Sequence, residues 1–289
     1  MAEMTTGEPQ SAAEYDDRTT AAVKAVLVEM GQILGSFKGK FAIIGGAVPW
    51  LLLENQDMPH VGTVDVDIGL DEKALGDGEY AMLIEELLGH GYTQSEGLRR
   101  FQLVREVPTR DGGGPIKVVV DFLMPRDAEI VKNDPPLISN FAVLKADGAD
   151  LATRFYQMVA ISGPMPDGGT NRVEIAVCSI PALLAMKGYA VNGRYKQKDA
   201  YDIYYCVRNY AGGPEALAEA CRPLLEHASG LAGYKFIAEK FDTTDGFGPT
   251  CVRQFVEETA VLGDRSPEQW QQDAFGQVDA WLRALGLRQ

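Results

Sequence analysis

The sequence reads Phe41-Ala42-Ile43-Ile44-Gly45-Gly46-Ala47, and a little further on Thr63-Val64-Asp65-Val66-Asp67-Ile68-Gly69-Leu70. The first stretch is a short apolar run stopped by two glycines. It reads as a buried strand handed into a helix over Ala47 to Asn55, with Pro49 tolerable in the first turn. A strand, two glycines and a helix start form a shape that lets backbone N–H groups approach a phosphate. The second stretch alternates. Val64, Val66, Ile68 and Leu70 face one way, and Asp65 and Asp67 face the other. Two parallel carboxylates repel unless a cation sits between them, and Mg²⁺ suits that place because it takes oxygen ligands and keeps positions for water and phosphate. Each part alone also fits an ordinary tight turn or a solvated strand face. The combination is more specific than either.

Working outward, Lys117-Val118-Val119-Val120-Asp121-Phe122-Leu123 is another strand-like run with an acid among apolar residues. If its strand lies beside the first, Asp121 brings a third carboxylate to the same face. That set fits metal-assisted phosphoryl transfer, in which metals clamp the phosphate and a carboxylate stands near the attacking hydroxyl. The spacing predicts a helix from Tyr15, one over Tyr80 to Leu88, and strands at Phe101 to Glu106 and Ile116 to Leu123, joined through the glycine-rich loop from Asp111 to Pro115. Further strands are expected near Val159 to Ile161 and Val173 to Val177. After Ser179 the pattern is helical: Pro181 to Val191, Lys198 to Tyr210, Pro214 to His227, Pro249 to Leu262 and Pro267 to Leu285. The fold class is therefore α/β (α+β): a mixed sheet with flanking helices over residues 15–178, then a helical domain over 179–289, with a loose arm over 1–14.

Composition bounds the function. The chain has 289 residues, 46% apolar and 24% charged, and a formal net charge of −14. A protein this acidic does not bind nucleic acid over its whole surface, so any such contact needs a local basic patch. No apolar run reaches the ~20 residues of a membrane span, and the first ten residues carry no apolar leader core. The expected setting is cytoplasmic, with no membrane. Four scattered cysteines and three distant histidines give no disulfide framework and no thiolate or imidazole metal set, which leaves a hard cation on carboxylates.

The local basic patch is the segment from Lys187 to Lys198, with Lys187, Arg194, Lys196 and Lys198 and no acid. Asp199 and Asp202 follow, three apart on one helix face. Lys187, Arg194 and Lys198 are candidates to meet a triphosphate, with an aspartate orienting them. The alternative is a solvated helix end with local ion pairs, Lys196 on the surface, and Tyr201, Tyr204 and Tyr205 as core aromatics.

Together these runs resemble the nucleotidyltransferase fold of the DNA-polymerase-beta-like superfamily, and the later one is similar to the C-terminal motif of the AbiEii-type nucleotidyltransferases, toxins of type IV toxin–antitoxin systems. The resemblance spans about residues 41 to 210. It implies that Gly45 and Gly46 hold nucleotide phosphates, that Asp65 and Asp67 bind Mg²⁺ or Mn²⁺, that Lys187 contacts the triphosphate, and that Asp199 or Asp202 completes the site. The implied activity moves a nucleoside monophosphate from an NTP to a hydroxyl, such as a tRNA 3′ end, with release of pyrophosphate; a cognate antitoxin is the implied partner. Two other functions fit the same residues: a non-catalytic nucleotide-binding or protein-interaction module, and a transferase acting on a small cationic acceptor of the aminoglycoside kind.

Overall fold

The computed structural model describes residues 17–53, 58–76, 78–94, 97–109, 113–128, 142–259 and 263–289. The arm over 1–14, and Asp111 and Gly112 of the glycine-rich loop, lie outside them. The chain forms two compact units. The described parts of Glu14–Ala47 and Val61–Cys178 make one; Val48–His60 and Ser179–Gln289 make the other.

The first unit is built on a seven-stranded sheet. In chain order it runs α1 (Asp17–Ile33), β1 (Phe41–Ile44), the start of α2 (Ala47–Leu52), β2 (Asp65–Leu70), α3 (Glu79–Gly89), β3 (Gln102–Val107), β4 (Ile116–Pro125), β5 (Leu144–Ala146), α4 (Ala149–Arg154), β6 (Tyr156–Pro164) and β7 (Thr170–Cys178). The strand order is β3-β4-β2-β1-β7-β6, with β5 also on β4. β2 and β4 are parallel, as are β1 and β7. The pairs β1–β2, β3–β4 and β6–β7 are antiparallel. The expected strands all form. β5 and α4 have no counterpart in the sequence pattern, because a three-residue strand and a six-residue helix are too short to show a period.

Period-two alternation gives this sheet two distinct faces. On one, Val66, Ile68, Leu70, Val118, Val120 and Phe122 are buried. Helix α1 lies there: Gly31 sits against Val173 of β7, and Glu29 holds Arg105 of β3 through two bonds of 2.9 Å. Residues 17–37 are long and apolar enough to cross a membrane by length and composition. In the fold, Val23, Val26, Leu27 and Met30 of that helix are fully buried, and its ion-paired Glu29 marks it as a core helix of the sheet. The opposite face carries the aspartates. Helix α4 packs on it, since a Cβ added at Gly69 meets Ala152 at 3.4 Å.

The second unit is helical: the rest of α2, then α5 (Ile180–Gly193), α6 (Gln197–Asn209), α7 (Gly213–Cys221), α8 (Ala228–Lys240), α9 (Phe247–Glu258) and α10 (Pro267–Leu285). The residues expected as one helix to His227 divide instead. α7 ends at Cys221 and a 3₁₀ turn follows over Arg222–Glu226, because Pro223 has no N–H to continue the α ladder. α2 covers Ala47–Leu52, and the expected end at Asn55 lies outside the described residues. α8 has no counterpart in the expectation: its glycines are poor helix formers. Both of them serve packing, since a Cβ at Gly230 would run into the Leu224 carbonyl and one at Gly233 into that of Ala185, while one at Gly188 of α5 would run into the Gly233 carbonyl. The core is aromatic, with Tyr201, Tyr204, Tyr205, Tyr234 and Trp281 all fully buried.

Candidate active site

In the first unit the carboxylates share a register row. Asp67 of β2 pairs with Asp121 of β4 across the parallel ladder, and Asp65 pairs with Val119. Going the other way, Ile44 lies opposite Asp67, and on β3 Gln102 lies opposite Asp121. Side chains at paired positions point to the same face, so Ile44, Asp67, Asp121 and Gln102 form one line across the sheet, with Asp65 one step along it. All three carboxylates are half-buried. Asp65 accepts a 2.8 Å bond from the buried Thr63 hydroxyl, and Asp121 accepts one of 2.8 Å from Gln102 Nε2. These neighbours fix the two outer carboxylates.

The glycine turn meets this row directly. Gly45 has φ +70°, the left-handed region that a side chain resists. A Cβ on Gly45 would overlap the Asp67 carboxylate. The turn therefore needs glycine twice over, for its backbone angle and for the approach to Asp67. Gly46 follows at the start of α2. Cys178 at the end of β7 is buried; burial and the charge of Asp67 push its thiol up, which keeps it a neutral thiol beside the acidic row.

Among the described residues, no three His, Cys, Asp or Glu groups stand close enough to hold a metal ion by themselves. β2 and β4 put Asp65, Asp67 and Asp121 on one face, as the strand pattern leads one to expect, with Asp65 bonded to Thr63 and Asp121 to Gln102. Such a face suits a hard divalent cation that takes one or two protein carboxylates and fills its shell with water and substrate phosphate.

In the second unit the basic segment is a buried ion cluster, not a solvated helix end. Lys187 Nζ lies 2.6 Å from Asp199 Oδ1 and 2.7 Å from Asp202 Oδ2. Arg194 Nε donates to Asp199 Oδ2 at 2.8 Å, and Lys198 Nζ to Asp202 Oδ1 at 2.9 Å. Both aspartates are fully buried, and Lys187 and Lys198 are buried with them; Arg194 is exposed and Lys196 half-buried. Burial alone would raise the Asp199 carboxyl, but Lys187 and Arg194 outweigh it and bring it down to about 2. Burial likewise opposes the charge of Asp202, and Lys187 and Lys198 hold it well below the usual carboxylate range. Lys187 is raised despite burial, by Asp199 and Asp202. Lys198 is lowered, by burial and by Lys187 beside it.

The sequence reading misses one member of this cluster. His60, at the end of the Val48–His60 segment, places Nε2 3.1 Å from Asp202 Oδ1. Its ring lies edge-on to Tyr205, with centroids 4.7 Å apart. Burial is the main cause that lowers its pKa to about 4, so the imidazole is neutral at physiological pH. A lone histidine 142 residues away from its partner leaves no spacing signal.

A seven-stranded mixed sheet with flanking helices, followed by a helical unit, is consistent with a nucleotidyltransferase fold and its helical C-terminal part. Residues 63–280 match the model of the family described as nucleotidyl transferase AbiEii toxin, type IV toxin–antitoxin system, and the chain belongs to that family. No curated protein matches the chain. The match takes in Asp65, Asp67, Asp121, Lys187, Arg194, Lys198, Asp199 and Asp202, and begins just after His60. It therefore leaves out Gly45-Gly46 as well, and continues past residue 210 through α7, α8 and α9 into α10, further than the motifs alone reach. A nucleotidyltransferase toxin with an NTP substrate and a cognate antitoxin is what membership implies.

Proposed function

We propose that the protein transfers a nucleoside monophosphate from an NTP to a hydroxyl at a tRNA 3′ end, as the cytoplasmic toxin of a toxin–antitoxin pair. The observation that carries the reading is the pairing of Asp67 with Asp121 on adjacent parallel strands, with Asp65 on the same face and the left-handed Gly45 against Asp67. Asp65 and Asp67 are the groups that would hold Mg²⁺ or Mn²⁺, which when bound supplies charge neutralisation for the phosphates. The acceptor oxygen attacks the α-phosphorus, the bond from that phosphorus to the bridging oxygen breaks, and pyrophosphate leaves. The hydroxyl proton passes to a carboxylate, and Asp121, held by Gln102, is the candidate. Gly45 and Gly46 are the candidates to meet the phosphates through backbone N–H groups.

In the second unit, Lys187 supplies an ammonium donor for a triphosphate, and Arg194 and Lys198 add positive charge. Asp199 and Asp202 are saturated by cations, so we assign them to positioning rather than to the reacting atoms. A cationic small-molecule acceptor is a second reading, favoured by the net charge of −14.

The test is a transfer assay with Mg²⁺, each labelled NTP in turn, and bulk tRNA. Label in tRNA with the intact protein and none with Asp65→Asn/Asp67→Asn is the expected result. Pyrophosphate release with an aminoglycoside, but no label in tRNA, selects the second reading. NTP binding without turnover on any acceptor discards both and leaves a nucleotide-binding module.

A further inference from the structure

We infer that His60 is a positioning residue for the Lys187 ammonium, acting through Asp202. The inference rests on the phosphate-binding role given to Lys187 above. An ionised carboxylate only accepts hydrogen bonds, so the hydrogen between His60 Nε2 and Asp202 Oδ1 belongs to the imidazole, which donates it over 3.1 Å. The ring cannot swing away. It is fully buried, with Tyr205 edge-on at 4.7 Å and Tyr201 tilted at 5.9 Å between centroids.

That bond settles how Asp202 divides its two oxygens. Oδ1 serves His60 and Lys198, and Oδ2 serves Lys187 at 2.7 Å. A lysine ammonium has three donors. Asp199 Oδ1 takes one and Asp202 Oδ2 takes another, so among the described residues the third has a fixed direction and is the one a phosphate oxygen can use. Without the imidazole, Asp202 is free to rotate onto Lys198, which already reaches both of its oxygens at 2.9 and 3.2 Å. Lys187 then loses one of the two contacts that aim it. His60 also ends the segment that follows the glycine turn, and from it the chain runs through Val61 and Gly62 to Thr63 and Asp65.

The experiment measures calorimetric binding of inorganic tripolyphosphate, which needs no turnover. Wild type is compared with His60→Gln, His60→Asn, His60→Phe, Lys187→Met and the His60→Phe/Lys187→Met double variant. Gln keeps a donor at the reach of Nε2; Phe keeps the bulk without it. The expected result is binding within about twofold of wild type for His60→Gln and about tenfold weaker for His60→Phe, the order for losing one hydrogen bond to an ion. The double variant should be no weaker than Lys187→Met alone, because the two residues act through one contact.

In the transfer assay, His60→Phe should raise KM for the NTP with little change in kcat. Equal binding by wild type and His60→Phe, additive losses in the double variant, or no tripolyphosphate binding by wild type overturns the inference. If His60→Phe fails to fold, the pair His60→Asn and His60→Gln decides: the shorter amide should bind weakly, and equal binding overturns the idea. A wild type that binds tripolyphosphate with this coupling but transfers nothing leaves the role of His60 standing and removes the transfer reading.

Discussion

Acidification from pH 7 to pH 5 should destabilise the helical unit through His60. Burial is the main cause that brings this imidazole from 6.5 to about 4; the hydrogen bond to Asp202 opposes it, and the charges of Lys198 and Lys187 add to the lowering. The rings of Tyr201 and Tyr205 complete its surroundings. Above pH 6.5 the imidazole is neutral both folded and unfolded, so it confers no pH dependence. Between 6.5 and 4 the unfolded chain takes up a proton that the folded one refuses, and stability falls as pH falls. The loss is about 2 kcal/mol at pH 5 and about 3 kcal/mol at pH 4. Asp199, folded near 2 against an ordinary 3.8, loses its contribution only below that window, and so does Asp202. Urea unfolding followed by tryptophan fluorescence isolates the effect, because Trp50, Trp270 and Trp281 all belong to the helical unit. Wild type should lose about 2 kcal/mol more than His60→Gln between pH 7 and pH 5. Parallel losses in the two proteins would refute the reasoning.

Three substitutions test the packing. Gly45→Ala puts a Cβ at φ +70° and into the Asp67 carboxylate; it should cost about 1–3 kcal/mol in a thermal melt and abolish transfer, and an unchanged melt contradicts the close approach. Gly188→Ala drives a Cβ into the Gly233 carbonyl of α8 and should cost about 1–3 kcal/mol of helical-unit stability by tryptophan fluorescence. Tyr201 is buried and its hydroxyl meets no hydrogen-bond partner among the described residues, so Tyr201→Phe should be neutral or stabilising by up to about 1 kcal/mol. A clear destabilisation would reveal a partner for that hydroxyl.

The strands of the acidic face were legible because their side chains obey a strict period of two. Val66, Ile68 and Leu70 had to go one way, so Asp65 and Asp67 had to go the other. The neighbourhood of Asp121 was legible only as a condition, since no local signal says which strand pairs with which; the parallel β2–β4 ladder that aligns Asp67 with Asp121 is a long-range choice. Gly45 could be read as a turn, but its approach to Asp67 depends on the β1–β2 register. In the helical half, the Lys187 and Asp199 spacing announced a cluster, yet whether it was solvated or buried depended on packing of α5, α6 and α9. α8 escaped because Gly230 and Gly233, which weaken a helix in isolation, are there for close approach to neighbouring backbone. His60 escaped because its meaning lies entirely in a contact across the sequence.

Stability does not account for the buried cluster around Lys187. Charges removed from water carry a desolvation cost that their mutual attraction barely repays, and apolar replacements of such groups are often neutral or stabilising by about 1–4 kcal/mol. The same unit already buries Tyr201, Tyr204, Tyr205, Tyr234 and Trp281, so apolar packing was available to it. What apolar side chains cannot supply is direction. Asp199 and Asp202 hold Lys187 from two sides, His60 and Lys198 hold Asp202, and Arg194 holds Asp199. With a neutral imidazole, the three cations and two carboxylates leave one formal positive charge in a chain of net −14. In the proposed function, an ammonium kept charged by its neighbours, with two of its donors committed among the described residues, would serve as a stiff anion receptor. A surface lysine on a flexible stem would offer the same charge and none of the aim.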